Sequence, residues 1–395
     1  PSIADNKRYE IHQENFKVKT PLPLKHWAHV IPNLAALMLV GMICSPPVQA
    51  DVVSDWVGLA DRALDGRALP PPLQAERERT APALTALALF EAVNAVDRRY
   101  QSYLEIPRAN VPASEEAAAI AAGYTVLLAV YPERHEVLDD ARATALAHIT
   151  ASATREAGIA IGKSAAQAAL AHTLFAGPKA VPYRPAAEIG KFVHPEPPLI
   201  APWSLRAQFF FLKSQEETMP PPPPGLASTR YARDLNEVRS LGGVGQSGAT
   251  PDTLRTARFL AGFSLDPILR RAAQNQPRLV DSARLWALVR MAQHDANAMI
   301  SMAKMRYGTW RPINAIRNAD HDGNALTGRD QNWPPGMPTP NHPEYPCGHC
   351  TMSSLLAHLL STHFTGTIEV GSESAPLNVA MHFADWDAFI KAASQ

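Results

Sequence analysis

An excess of charge of either sign is missing from this sequence: 37 lysines and arginines stand against 37 aspartates and glutamates over 395 residues. Bulk electrostatic attraction to nucleic acid or to an anionic membrane surface needs a clear basic excess, so neither is expected as a partner. Cysteine is scarce, with three residues in all, which excludes a four-cysteine zinc cluster. Valine and isoleucine alternation is nearly absent, so no sheet is predicted. No internal repeat of fixed period occurs. The N-terminal apolar run at 34–43 (LAALMLVGMI) falls short of the roughly 20 residues that a membrane-spanning helix needs, and no stable membrane span is expected.

That run is nonetheless informative. Lys25-His26 precede it and Val48-Gln49-Ala50 follow it, the layout of a secretory signal peptide cleaved after Ala50. Polar residues stand ahead of it and position 1 is Pro1, so 1–50 is expected to comprise an upstream extension plus signal peptide. The remainder would be exported, to the periplasm or outside the cell. There Cys347 and Cys350, spaced C-x-x-C, could pair in a disulfide.

A hydrophobic fraction of 46% allows a sizeable core. Proline is abundant, 36 of 395 or about 9%, against a background of about 5%; because proline sits badly inside helices, long proline-rich connections are expected. From position 51 the pattern is helical. In 83–100, Leu84, Leu87, Ala88, Glu91 and Ala95 form one stripe. Ser114-Glu115-Glu116 reads as an N-cap with an acidic first turn, opening a helix that runs to Val130. Further helices are predicted at 133–149, 154–175, 231–241, 253–263 and 280–307. Between them, 177–224 carries Phe209-Phe210-Phe211 and five consecutive prolines, Pro220 to Pro224, and reads as an extended connection with a rigid polyproline spacer. Gly243-x-Gly245-x-x-Gly248 spells a dinucleotide fingerprint but follows a helix instead of a strand, so it reads as a loop. Asp320-His321-Asp322-Gly323-Asn324 lacks the ligand spacing of an EF-hand and reads as a surface turn.

The chemistry concentrates between Lys304 and His349. Lys304 and Arg311 bracket six residues and Pro312 follows, giving K-x6-R-P; Pro346-Cys347-Gly348-His349 comes 35 residues after Arg311-Pro312 begins the next segment. Seven residues are two helical turns, which would place Lys304 and Arg311 on one helix face. Two long cations supply charge and donors for an oxyanion. A glycine amide can approach an oxygen closely, and a histidine beside it can move a proton near neutral pH.

K-x6-R-P followed by P-x-G-H resembles the superfamily shared by vanadium-dependent haloperoxidases and type 2 phosphatidic acid phosphatases. Residues 231–241 (YARDLNEVRSL), the helix around Asp295-Ala296, 310–317 (WRPINAIR) and 342–346 (HPEYP) are similar to exported bacterial haloperoxidase homologues, with coverage from about Asp51 to the end. The resemblance implies an all-α fold, one helical bundle over 51–395 with the anion site between helices. It implies that Lys304, Arg311, Cys347 and Gly348 bind the oxygens of vanadate, Gly348 through its amide, and that His349 is the general acid–base of peroxide-dependent halide oxidation. Hydrogen peroxide and halide would be the substrates, and a homodimer is compatible with it. The alternative within the superfamily is a phosphomonoesterase holding phosphate in the same pocket, with His349 protonating the leaving alcohol; the 310–317 segment favours the haloperoxidase branch.

Two departures stand out. Cys347 occupies the position of the family's oxyanion-binding serine, and paired with Cys350 it would donate nothing. The family's third motif, S-R-x3-G-x-H, which supplies a second arginine and the axial histidine, does not follow His349; His358, His363 and His382 lack that context. The chain is therefore expected to be C-terminally truncated, with the axial histidine beyond its end and with negligible turnover. Two readings from other classes remain: a thiol–disulfide oxidoreductase, because Cys347-Gly348-His349-Cys350 spells C-G-H-C although its surroundings are helical, and a degenerate helical protein without catalysis.

Overall fold

Alanine-rich segments with polar caps fold into helices that pack closely on one another. The computed structural model describes residues 51–62, 71–172, 188–193, 209–214, 216–245, 248, 250–262, 264–364, 366–370 and 381–394, all within the unit Val48–Gln395. The proposed signal segment at 1–50 and much of 177–208 lie outside the described residues. Among the described residues the helices are α1 (Val52–Arg62), α2 (Pro71–Val96), α3 (Glu115–Val130), α4 (His135–Ala147), α5 (Ala153–Ala171), α6 (Thr229–Leu241), α7 (Pro251–Gly262), α8 (Asp266–Gln274), α9 (Leu279–Tyr307), α10 (Pro312–Arg317), α11 (Gly348–Leu360) and α12 (Trp386–Ser394).

Local chemistry explains the boundaries. Ser114 caps α3, its Oγ accepting the Ala117 N–H at 3.1 Å, and Glu115 and Glu116 sit in the first turn where the helix dipole favours them. Ser152 caps α5 in the same way, accepting from Arg155 at 3.2 Å. Pro132 opens a short 3-10 turn, Pro132–Arg134, so the helix predicted from 133 begins instead at His135. α2 starts twelve residues earlier than periodicity suggested and runs through Pro82, which removes one backbone bond without ending the helix. The predicted stripe is right: Leu84, Leu87, Ala88, Glu91 and Ala95 are all buried. Glu91 is stabilised there because its carboxylate accepts the Tyr103 and Leu104 amides and the Ser102 hydroxyl.

α2, α3 and α5 pack against one another, and α9 packs on α2. Small residues set the closeness. A Cβ at Gly158 would collide with Ser114 O and one at Gly162 with Ala118 O, so these glycines, one turn apart on α5, let its backbone lie directly on α3. α9, with 29 residues, buries Val280, Ala283, Trp286, Ala287 and Val289 in the main core beside Trp56, Phe259 and Phe389. A smaller cluster, Leu235, Trp310, Ala315, Ile316 and Trp333, supports α10.

One expectation fails: a two-stranded antiparallel ribbon pairs β1 (Ile368–Val370) with β2 (Met381–Phe383), Glu369 opposite His382. Three residues per strand are too few for alternation to register in the sequence. No helix among the described residues is long and apolar enough to cross a membrane.

The α3–α5 contact makes a direct test. Gly162→Ala gains about 1 kcal/mol of helix propensity but overpacks against the α3 backbone, which typically costs about 1–3 kcal/mol. Urea unfolding followed by circular dichroism should show net destabilisation; a more stable Gly162→Ala protein would refute the close backbone approach.

Candidate functional site

Arg290, Gln293, Asn297, Ile300, Ser301 and Lys304 recur along α9 at helical spacing and line one cavity of about 540 Å³. α9 then stops. Gly308 adopts a left-handed conformation, φ 56°, with its N–H on Lys304 O, a C-terminal arrangement that glycine accommodates without strain. The chain turns and Arg311 becomes the N-cap of α10, with Pro312 in its first turn. Lys304 and Arg311 are therefore not on one helix face, as their spacing suggested. They belong to two elements, and both line the cavity because the helix ends between them.

Lys304 is 4% exposed. Its Nζ donates to Pro343 O at 2.9 Å and Glu344 O at 2.6 Å. Burial pulls its pKa down to about 8; Glu344 opposes the shift and Arg311 adds to it. Arg311 Nη1 lies 2.6 Å from Glu344 Oε2, while its buried Nε has no hydrogen-bond partner among the described residues. Burial also lowers the Arg311 pKa, again opposed by Glu344. The Glu344 carboxylate thus occupies an anion's place on Arg311.

The third wall is the start of α11. Cys347 is its N-cap. Cys350 N–H bonds Cys347 Sγ at 3.2 Å and Thr351 N–H reaches Cys347 O at 3.4 Å. The amides of Gly348 and His349 have no hydrogen-bond partner among the described residues; such first-turn amides, at the positive end of the helix dipole, attract anions. A Cβ on Gly348 would meet only Ile300 Cγ2, at 3.8 Å, so packing alone does not demand glycine here. His349 is exposed and lines the cavity together with His342.

Cys347 requires a correction. It is disulfide-bonded to Cys350, Cα–Cα 5.5 Å, so it carries no thiol proton, and its side chain cannot donate to an oxyanion as the family's serine would. Lys304, Arg311, Gly348 and His349 are brought together; Cys347 joins them only as lining. The three histidines after His349 lie elsewhere. His358 is exposed on α11, His363 falls in the turn after it, and His382 is exposed on β2, with Nε2 3.9 Å from Glu369 Oε2.

Several cavity residues escaped the sequence reading. Arg290, 8% exposed, is held by Asp61 at 2.7 Å and Asp266 at 3.0 Å, which neutralise it. Its place on the stripe that ends at Lys304 was a legible signal, as helical periodicity in polar residues. Glu344 and His342 lie in the 342–346 segment noted for its similarity, but nothing in the sequence marked either as a lining residue. The polyproline spacer also touches this region: Tyr307 and Tyr345, with rings 5.6 Å apart, donate their hydroxyls to Pro220 O and Pro221 O. The glycine decoy is a loop, Gly243 bridging Pro335. In the 320–324 turn, Asp322 and Asn324 are buried instead of surface-exposed, and Asp322 accepts the Thr327 hydroxyl.

Residues 284–394 match the family described as the VCPO second helical-bundle domain. The vanadium chloroperoxidase of Curvularia inaequalis is 29% identical over 119 residues, 28% of this chain and 19% of that protein's length. Among solved structures, the fold is similar to that of a bacterial vanadium-dependent iodoperoxidase, TM-score 0.67 at 18% identity over 88% of this chain and 89% of that one. It is also similar to an apo-type bacterial vanadium-dependent chloroperoxidase, TM-score 0.59 at 15% identity over 83% and 88%. At these identities the structures speak for the fold.

Two measurements probe the cradle. Glu344→Gln removes the internal competitor for Arg311 and should tighten sulfate binding about tenfold, the equivalent of about 1.4 kcal/mol; weaker binding would refute the competition. Sulfate keeps its charge between pH 7 and 10, so its affinity for the unaltered protein should fall as pH rises through about 8, where Lys304 loses its proton. The stability sign is opposite. Because the folded pKa lies below the unfolded one, the cost of burying the ammonium is full below about 8 and is relieved as pH rises toward the ordinary lysine value of 10.5. Lys304→Met should flatten both profiles, which calorimetry and pH-dependent urea melts would show.

Proposed function

We propose that this chain, whose residues 284–394 belong to the VCPO second helical-bundle family, is a vanadium-dependent haloperoxidase-like protein that holds vanadate in the α9–α10–α11 cavity. The observation that carries this is the convergence of Lys304, Arg311 and the N-terminus of α11 on one cavity. The residues fit a tetrahedral oxyanion. Two cations and two unpartnered first-turn amides converge, and the Glu344 carboxylate already sits on Arg311 as an internal stand-in.

In this mechanism Arg311 would bind oxyanion oxygens through its guanidinium, Lys304 would add charge from its buried position, and the Gly348 amide would complete the cradle. Vanadate, when bound, supplies the centre at which hydrogen peroxide is activated toward halide. His349, exposed at the cavity edge, would exchange the peroxide proton with solvent. Hydrogen peroxide and halide are the proposed substrates, in an exported compartment consistent with the Cys347–Cys350 disulfide. The pattern S-R-x3-G-x-H is absent from the 395 residues, so the described cavity provides the Lys–Arg–amide part of a haloperoxidase site, and binding without appreciable turnover is the expected behaviour of this chain.

Calorimetry with inorganic phosphate, a tetrahedral mimic of vanadate, separates binding from turnover. Arg311→Ala should weaken phosphate by about tenfold to a hundredfold, the loss of a charge-assisted pair worth about 1.5–3 kcal/mol. Gly348→Ala should weaken it while leaving the melting temperature nearly unchanged. Phosphate binding unaffected by Arg311→Ala would remove the oxyanion site; rapid vanadate-dependent bromide oxidation by the 395-residue chain would overturn the expectation of negligible turnover.

A further inference from the structure

The oxyanion function leaves one feature of the cavity unused, the Cys347–Cys350 disulfide. It contributes little as a staple. The entropic benefit of a cross-link grows with the loop it closes, and here the sequence separation is 3, within a turn that α11 already orders. Three further observations point toward reactivity. Cys347 is exposed while Cys350 is half-buried, so a reagent arriving from solvent meets Cys347 first. Cys347 is the N-cap of the 13-residue α11, and its Sγ already accepts the Cys350 N–H at 3.2 Å. Cys347 also lines the cavity that holds Lys304 and Arg311. A thiolate there would be stabilised by the helix N-terminus and by nearby cations, the environment that makes cysteines reactive.

We propose that Cys347–Cys350 is a redox-active disulfide, a thiol–disulfide exchange site at the mouth of the cavity that accepts small dithiols, with Cys347 as the sulfur attacked and Cys350 as the resolving sulfur. A thiolate of the dithiol attacks Cys347 Sγ. The S–S bond breaks, its electron pair goes to Cys350 Sγ, and that thiolate takes a proton from solvent. The second thiolate of the reagent then attacks its partner sulfur in the mixed disulfide and releases Cys347 Sγ as a thiolate. Two electrons and two protons pass from the dithiol to the protein once Cys347 is protonated, and the reagent leaves as a cyclic disulfide; an oxidised dithiol runs the steps in reverse. This chemistry requires the two cysteines and α11 alone, and it stands independently of any oxyanion activity.

The test equilibrates the full chain with graded ratios of reduced to oxidised dithiothreitol without oxygen, followed by acid quench, alkylation and peptide mapping, which reads Cys44 separately. The disulfide should open and close reversibly while the helical circular dichroism stays unchanged. Limiting iodoacetamide should label reduced Cys347 at least tenfold faster than Cys350. In Cys350→Ser, glutathione disulfide should trap a mixed disulfide on Cys347, and in Cys347→Ser the corresponding adduct on Cys350 should form at least tenfold more slowly. A disulfide that opens only when helicity is lost, or equal labelling of the two cysteines in the unsubstituted protein, would overturn the assignment; the latter needs no variant to fold.

Discussion

A buried ammonium organises the site. Lys304 Nζ has left water at 4% exposure, and a desolvated charge must find polar partners inside the protein or lose its proton. It takes the carbonyls of Pro343 and Glu344. Those carbonyls lie a few residues ahead of Gly348, so the same bonds tie the start of α11 to the end of α9, and the Glu344 side chain pairs with Arg311. One charge thereby couples three segments that are distant in sequence. Arg290, also buried on the same helix, is satisfied differently. Asp61 and Asp266 neutralise it, whereas carbonyls solvate Lys304 without cancelling its charge. The positive character of the cavity therefore resides at its Lys304 end.

The rest of the fold explains why amides and cations meet there. Inside a helical bundle nearly every backbone donor is consumed by its own helix, and amides without intrahelical partners occur at N-termini. The cavity is formed where α9 ends and α10 and α11 begin, the place where such amides and long cationic side chains can coincide. The close packing of α2, α3 and α5, permitted by Gly158 and Gly162, contributes no lining residue. Its role is to complete the core against which α9 packs while presenting one polar stripe over four turns.

The helical class, the stripe of α2 and the cap at Ser114 were legible because they depend on interactions within a few residues. Lys304, Arg311, Gly348 and His349 were legible as a linear pattern, and their convergence on one cavity follows the pattern. The geometry of the first pair was not, because a two-turn spacing says nothing about a helix that stops at Gly308. The ribbon of β1 and β2 is too short to show a period. Glu344 was opaque for a different reason: its importance arises from the main-chain path that Lys304 imposes, which is a tertiary consequence with no local signature. At Cys347 the substitution for serine was visible in the sequence, but only the pairing with Cys350 decides that the side chain accepts a hydrogen bond instead of donating one.

Electrostatics then restrict what the cradle can prefer. Two cations lining one low-dielectric cavity repel, and Arg311 indeed lowers the Lys304 pKa while Glu344 opposes that fall. Glu344 therefore helps keep the cradle charged near neutral pH, but it does so by holding the group that a ligand must engage. A monoanionic carboxylate arriving from solvent would only exchange like for like at Arg311, and would have to release an intramolecular partner whose effective concentration is high. A tetrahedral dianion offers several oxygens at once. It can engage Arg311 together with the Gly348 and His349 amides, compensating for the displaced Glu344 with bonds that a single carboxylate cannot reach. On the proposed function, selectivity for tetrahedral oxyanions over carboxylates would follow from the internal competitor as much as from the donors themselves.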